Sequence, residues 1–201
     1  MSEKINGVVG VIRTNKPETA YRLAKAWDST SIIAIEITMT VPGALSIIEK
    51  LLDEGVTRLG GGTVRTVEQV KSLAKMGAAF AVSPHSDERV IKEGVRLGLP
   101  VTPGAMTPTE IVKVMQWGAT SAKIFPIKAL GGLDFIEAIL EPLPELKLVV
   151  SGGVQPREVQ SYLQAGCVGV CMGGALWDQA ITDEGNIQEI TAFANRALES
   201  M

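Results

Sequence analysis

The chain of 201 residues reads as an α/β protein, a single-domain (β/α)8 TIM barrel spanning residues 1–201. Three observations lead there. A short β-rich run followed by an amphipathic stretch recurs eight times, about every 25 residues, which is the pattern of a parallel sheet covered by helices. Helix start and stop residues fall in register with that repeat. No linker, low-complexity segment or shift in composition marks a boundary. Eight such units can close into a barrel at the short end of the usual size range. An open doubly wound sheet is the competing architecture, but no Gly-x-Gly-x-x-Gly follows the first run to support it.

The elements follow in order. Residues 8–13 form the first run and 18–27 the first helix. Residues 32–38 come next, then a helix over 42–53 that stops at Gly55. The third unit is 57–61 with helix 67–76, between the N-cap Thr66 and Gly77. The fourth is 79–83 with helix 87–97, between Ser86 and Gly98. The fifth is 100–102 with helix 108–117, opened by Thr107 with Pro108 at the first helical position and closed by Gly118. The sixth is 122–125 with 133–140, and the seventh 147–150 with 156–164, ending at Gly166. The eighth is 168–172 with a helix over 186–198 that shares its space with residues 177–185.

Composition excludes several classes of function. The net charge of -3, without a basic run or interleaved aromatics, argues against nucleic-acid binding. No apolar run is long enough to span a bilayer, and Met1-Ser2-Glu3-Lys4 opens no signal-peptide core, so no membrane partner and a cytoplasmic location are expected. Cys167 and Cys171 are too few for a disulfide framework and read as buried thiols sharing one strand face. His85 is the only histidine, which rules out a multi-histidine metal site, and none is expected. It reads as a spectator on the rim.

Two charges interrupt apolar strands. Lys123 lies in Ser-Ala-Lys-Ile-Phe-Pro, where burying an unpaired ammonium is costly and loss of its proton yields a nucleophilic amine. Glu36 lies in Ile-Ile-Ala-Ile-Glu-Ile-Thr. Alternation puts Ile33, Ile35 and Ile37 on one face and Ala34, Glu36 and Thr38 on the other. With the isoleucines against the helices, Glu36 faces the lumen. The same argument turns Lys123 and Phe125 inward if Ile124 faces out. The alternative reading is a buried Glu36–Lys123 ion pair that only fills the barrel. Arg13 lies at the C-terminal end of the first strand, the end where barrel enzymes keep their chemistry.

Anion cradles are expected on the same rim. Ser151-Gly152-Gly153 follows the seventh strand, and Gly173-Gly174 the eighth, where glycines let backbone N–H groups approach a phosphate. Gly60-Gly61-Gly62-Thr63 closes the third strand, and Thr63 can hydrogen-bond a carboxylate through its hydroxyl and N–H. Ser83-Pro84 closes the fourth. For Thr63 and Ser83 the alternative is capping of the local chain. Lys128 is a rival amine but lies in a loop leading to Gly131-Gly132, where a solvated role is expected.

These residues together resemble the 2-keto-3-deoxy-6-phosphogluconate (KDPG) and 4-hydroxy-2-oxoglutarate (KHG) aldolase family. The carriers are Glu36-Ile-Thr-Met, Gly60-Gly-Gly-Thr-Val, Phe80-Ala-Val-Ser-Pro, Pro103-Gly, Lys123-Ile-Phe-Pro, Ser151-Gly-Gly and Met172-Gly-Gly-Ala, from Val8 to about Trp177. The resemblance implies a class I aldolase: Lys123 forms the imine and Glu36 is the general acid/base. It implies carboxylate binding near Thr63 and Pro84, a pyruvate pocket lined by Phe125, and phosphate contacts from Gly152, Gly153, Gly173 and Gly174. It further implies a phosphorylated 2-keto acid substrate, no cofactor, no metal and a homotrimer. Two departures stand out. Thr40 occupies the position, four after the glutamate, where members often carry a carboxylate-binding arginine, and Arg13 is the candidate substitute. Ala175 stands where a serine can add a phosphate contact. The competing functions are aldol cleavage of KHG or of the galactonate epimer of KDPG, a phosphosugar isomerase or epimerase without a covalent lysine, and a barrel that binds ligand without turnover.

Overall fold

The structure is a computed structural model and describes residues 7–201. The amino-terminal stretch read above for a signal peptide lies outside the described residues. Strands β1 (Val8–Ile12), β2 (Ala34–Thr38), β3 (Leu59–Gly62), β4 (Ala81–Val82), β5 (Val101–Thr102), β6 (Gly104–Ala105), β7 (Ala122–Ile124), β8 (Leu148–Val150) and β9 (Gly169–Met172) form one sheet. Its order is β5-β4-β3-β2-β1-β9-β8-β7-β6, and every pairing is parallel.

β5 matches the expected fifth run, 100–102, whereas β6 lies beyond it and was not expected; the two together fill the fifth strand position. β5 pairs with β4 and β6 with β7. Pro103 lies between them and has no N–H for a ladder. Its carbonyl still accepts from Lys123 N at 2.8 Å, and Val101 O accepts from Thr120 N at 3.0 Å. These bonds carry the ladder across the break and close the sheet on itself. The expected barrel therefore forms, with eight strand positions and one of them broken.

Helices α1 (Pro17–Trp27), α2 (Ala44–Asp53), α3 (Val67–Lys75), α4 (Glu88–Leu97), α5 (Pro108–Gln116), α6 (Leu133–Leu140) and α7 (Val159–Gln164) alternate with the strands, and α8 (Gln179–Glu184) and α9 (Ile187–Glu199) close the chain. Thr66 and Thr107 are N-caps of α3 and α5, each in a reciprocal capping box with the residue three positions on. Ser86 is not the cap of α4. Asp87 accepts from Arg89 N at 2.9 Å in that role, while the Ser86 hydroxyl donates to Gly104 O at 2.8 Å. A carboxylate one residue nearer the first turn meets the free N–H groups directly. α8 was not expected as a separate helix. Asp178 caps it by accepting from Ile181 N at 3.1 Å, which folds the 177–185 segment before α9.

The wall separates two apolar clusters. The large outer one joins strand residues such as Ile12, Ile35, Ile37, Ile124 and Val170 to the helices. The small inner one contains Val9, Ala34, Val149 and Cys171. Cys167 packs in the outer cluster and Cys171 in the inner one, so the two thiols do not share a face as expected. Strand geometry begins only at Gly169, so period-2 alternation does not reach Cys167. Both thiols are free and buried, and burial pushes each up to about 12.

Gly10 shows how closely α1 approaches the wall. A Cβ there would lie 2.6 Å from the Trp27 ring, and Trp27 is fully buried. Gly10→Ala is expected to destabilise the fold by about 1–3 kcal/mol through overpacking, measured as a lower midpoint in urea unfolding.

Candidate active site

β2 and β7 place the two interrupting charges. Glu36 projects into the lumen with Ala34 and Thr38, since Ile35 and Ile37 belong to the outer cluster. Lys123 projects inward because Ala122 and Ile124, on either side of it, belong to that cluster too. Lys123 is 7% exposed and Glu36 3%. With β5 and β6 counted as one position, β2 lies diametrically across the barrel from β7. The two charges therefore approach from opposite walls.

They do not form a direct pair. Among the described residues no carboxylate oxygen lies within 4.0 Å of Lys123 Nζ. Burial pushes the Glu36 carboxyl above the ordinary carboxylate range, and the charges of Lys123 and then Arg13 pull it partly back. Lys123 Nζ instead stands 5.3 Å from the centroid of the Phe125 ring. Phe125, one residue past the end of β7, is 36% exposed at the mouth. The buried-pair reading is thus not the geometry found. The geometry is an amine and a carboxyl on opposite walls of one lumen, not in direct contact.

Arg13 and Thr63 meet on the rim above Glu36. Arg13 Nη2 donates to Thr63 Oγ1 at 3.4 Å. Thr63 has φ 53°, a left-handed conformation that strains a β-branched residue. Thr40 is held differently. Its hydroxyl lies 2.8 Å from Thr38 Oγ1, which donates to Ile12 O at 3.2 Å. Ser83 closes its own turn, donating from Oγ to His85 O at 2.8 Å. The Pro84 carbonyl occupies the place where a Cβ on Gly104 would stand, and Gly104 is the register partner of Lys123. His85 is exposed.

Two glycine loops border the same mouth. Gly152 and Gly153 have φ 100° and 88°, which other residues rarely adopt. A Cβ on Gly152 would meet Phe125 and Pro126 at 3.0–3.1 Å, so this loop sits directly against the end of β7. Ser151 ties the two strands together: its N donates to Ile124 O at 3.0 Å and its O accepts from Ile127 N at 2.8 Å. Gly173 follows β9 beside Val11 O, at 3.2 Å from an added Cβ. The N–H groups of Gly152, Gly153 and Gly173 donate to no described backbone carbonyl. They remain available to an anion.

The structure thus gathers Lys123, Glu36, Arg13, Thr63, Phe125, Pro84 and the loops carrying Ser151, Gly152, Gly153, Gly173 and Gly174 around one mouth. Two neighbours were not anticipated. Cys171 lies in the lumen near both charges, and extending the alternation from Val170 could have placed it there. Lys128 is exposed, as expected, but its hydrocarbon stem packs on the Gly153 position, 3.1–3.8 Å from an added Cβ. No local sequence signal reports that contact.

A parallel barrel with a lysine and a glutamate buried in its lumen, and with Arg13, Thr63 and two glycine loops at the C-terminal end of its strands, has the layout of a barrel enzyme. The comparisons with known proteins narrow this. Residues 2–193 match the family model described as KDPG and KHG aldolase. The chain belongs to this aldolase family and is a carbon–carbon lyase. It is 31% identical over 194 residues to the KHG/KDPG aldolase of Escherichia coli (strain K12), covering 96% of this chain and 91% of that protein. It is 30% identical over 197 residues to the 2-dehydro-3-deoxy-6-phosphogalactonate aldolase of the same strain, covering 96% of each. A solved structure of KDPG aldolase from Legionella pneumophila, with pyruvate captured at low pH as a covalent carbinolamine intermediate, superposes with a TM-score of 0.86. The two are 26% identical, and the match covers 96% of this chain and 95% of that one. Among the described residues no helix is long and apolar enough to cross a membrane.

The raised Glu36 pKa has a consequence for stability. A carboxyl whose folded pKa lies above its unfolded value favours folding at low pH, and that contribution is lost as pH rises through the folded value. Glu36→Gln is therefore expected to raise the Tm at neutral pH. The gain should shrink as pH falls through the raised value and vanish below the ordinary carboxylate range, as read by calorimetry across pH.

Proposed function

We propose that this protein is a class I aldolase, a single barrel domain over residues 1–201 that cleaves 2-keto-3-deoxy-6-phosphogluconate to pyruvate and glyceraldehyde 3-phosphate. The observation that carries the reading is the buried amine of Lys123 facing the buried carboxyl of Glu36 without pairing. A filler pair would be in direct contact. A catalytic pair has to leave room for the substrate carbon chain.

The neutral Lys123 amine attacks the C2 ketone. The carbinolamine loses water to give a protonated imine, which withdraws electrons from the C3–C4 bond. As that bond breaks, the C4 hydroxyl proton passes to Glu36, directly or through a water, and the aldehyde leaves. The enamine takes a proton at C3, and water returns to hydrolyse the imine and free pyruvate. A carboxyl whose pKa is raised by burial accepts and returns a proton more evenly near neutral pH than an ordinary one. Phe125 forms the wall beside the imine, with Pro84 opposite. The substrate carboxylate lies at Arg13 and Thr63. The phosphate lies on the N–H groups of Gly152, Gly153, Gly173 and Gly174, with Ser151 steadying the first loop. Ala175 contributes backbone only. The reading takes no cofactor or metal, and it includes a cytoplasmic homotrimer. The two glycine loops favour a phosphorylated substrate over 4-hydroxy-2-oxoglutarate.

Borohydride added with pyruvate is expected to modify Lys123, as found by peptide mass mapping. Lys123→Ala should lose both the adduct and more than about a thousandfold of kcat. Equal trapping by Lys123→Ala would sink the assignment. Pyruvate release from the gluconate compound, its galactonate epimer and 4-hydroxy-2-oxoglutarate then ranks the substrates.

Arg13 is read as the replacement for an arginine at position 40. Arg13→Ala should raise KM about tenfold to a hundredfold, the effect of losing a charged hydrogen bond of about 1.5–3 kcal/mol. Adding Thr40→Arg to that variant should recover part of the loss. Steady-state kinetics with KM unmoved in Arg13→Ala would place the carboxylate elsewhere.

A further inference from the structure

Gly62 ends β3 and faces the lumen as the register partner of Thr38. Its φ is outside the left-handed region, so the backbone there accepts any residue. Space is what demands glycine. A Cβ on Gly62 would overlap Oε1, Cδ and Cγ of Glu36. Glu36 is itself the register partner of Gly60, two positions earlier in β3. Its side chain therefore leans toward the mouth and lays the carboxyl over Gly62. The space over Gly60 is already taken, since a Cβ there would stand 2.6 Å from the Phe80 ring. The two lumen-facing glycines of β3 thus open adjacent recesses in the wall. Phe80 fills the lower one and the Glu36 carboxyl the upper.

We propose that Gly62 is a positioning residue for the acid/base: the side chain it lacks is the recess that holds the Glu36 carboxyl against the β2–β3 wall, across the lumen from Lys123. The inference rests on the reading of Glu36 as the proton-transfer group. Any side chain at position 62 forces the carboxyl either into the lumen, toward Lys123 and the space of the substrate, or outward toward water. Phe80 blocks the retreat downward. The same recess explains why two buried opposite charges in one lumen stay apart, since the carboxyl has a cavity of its own shape on its own side.

A double-mutant cycle tests this. Gly62→Ala is expected to lower the Tm when Glu36 is present and to have little effect when combined with Glu36→Ala, because the group it collides with is gone. If Gly62→Ala alone fails to fold, recovery of the folded state in that double variant is the supporting result. In turnover, Gly62→Ala should lower kcat about a hundredfold with KM within about threefold. The acid limb of its kcat–pH profile should move to lower pH, because a displaced carboxyl is better solvated. Glu36→Asp, one methylene shorter, should restore part of kcat in the Gly62→Ala background. Equal Tm losses with and without the Glu36 carboxyl, or unchanged kcat and acid limb in Gly62→Ala, would overturn the proposal. Full activity in Glu36→Ala alone would overturn the functional reading of Glu36 and this role with it, while the Tm cycle reports separately on the recess.

Discussion

The fold holds an amine and a carboxyl out of water on opposite walls of one lumen without letting them neutralise each other. Closure of the sheet desolvates both groups, and their residual attraction is felt in the Glu36 carboxyl, whose burial still outweighs the charges of Lys123 and Arg13. A direct pair in this place would be an ordinary buried salt bridge, of doubtful worth to stability and closed to chemistry. Placement on opposite walls of the barrel instead leaves both groups facing the lumen, as the proposed chemistry requires. The rest of the molecule follows from that requirement. The outer apolar cluster fixes the direction of each strand face, and the ladder past Pro103 keeps the ring closed despite the broken fifth strand.

Space in the lumen is regulated by missing side chains. An eight-strand barrel has an interior just wide enough for side chains to fill. Here Gly60 and Gly62 remove two of them on β3, and Gly104 removes one beside Lys123. Phe80, the Glu36 carboxyl and the Pro84 carbonyl occupy the freed positions. The strand rule that glycine weakens a sheet is overridden, because close backbone approach matters more at these positions. At the mouth, Thr63 accepts a strained left-handed conformation while bonding Arg13, and two further glycine loops present unused N–H groups. Cost in local stability therefore concentrates at one end of the barrel, the end that carries the site.

The strand alternation around Glu36 and Lys123 was legible in the sequence because Ile35, Ile37 and Ile124 declare the outer face, although Ile33, one residue before β2, packs against the inner cluster and not the outer one as expected. The capping boxes at Thr66 and Thr107 were legible because their partners lie three residues away. Features that depend on a competition between near-equal neighbours were not. Asp87 displaced Ser86 as a cap, the sheet resumed beyond Pro103 as β6, and Cys167 fell just outside the alternation that governs Cys171. Arg13 and Thr63 are 50 residues apart, and nothing local in either motif reports their contact. The glycines of β3 read only as the close of a strand before Thr63, and they proved to be vacancies filled by neighbouring groups.

The order of elements, the inward direction of Glu36 and Lys123 and the family membership were already written in residue types and their spacing, since periodicity and local hydrogen bonding act over a few residues. The placement of the two charges on opposite walls, the recess that keeps them apart, the partner of Arg13 and the sides taken by the cysteines came only with closure of the barrel. Those properties depend on which walls face each other and how much room remains between them. Long-range packing sets both, and no short stretch of chain carries that information.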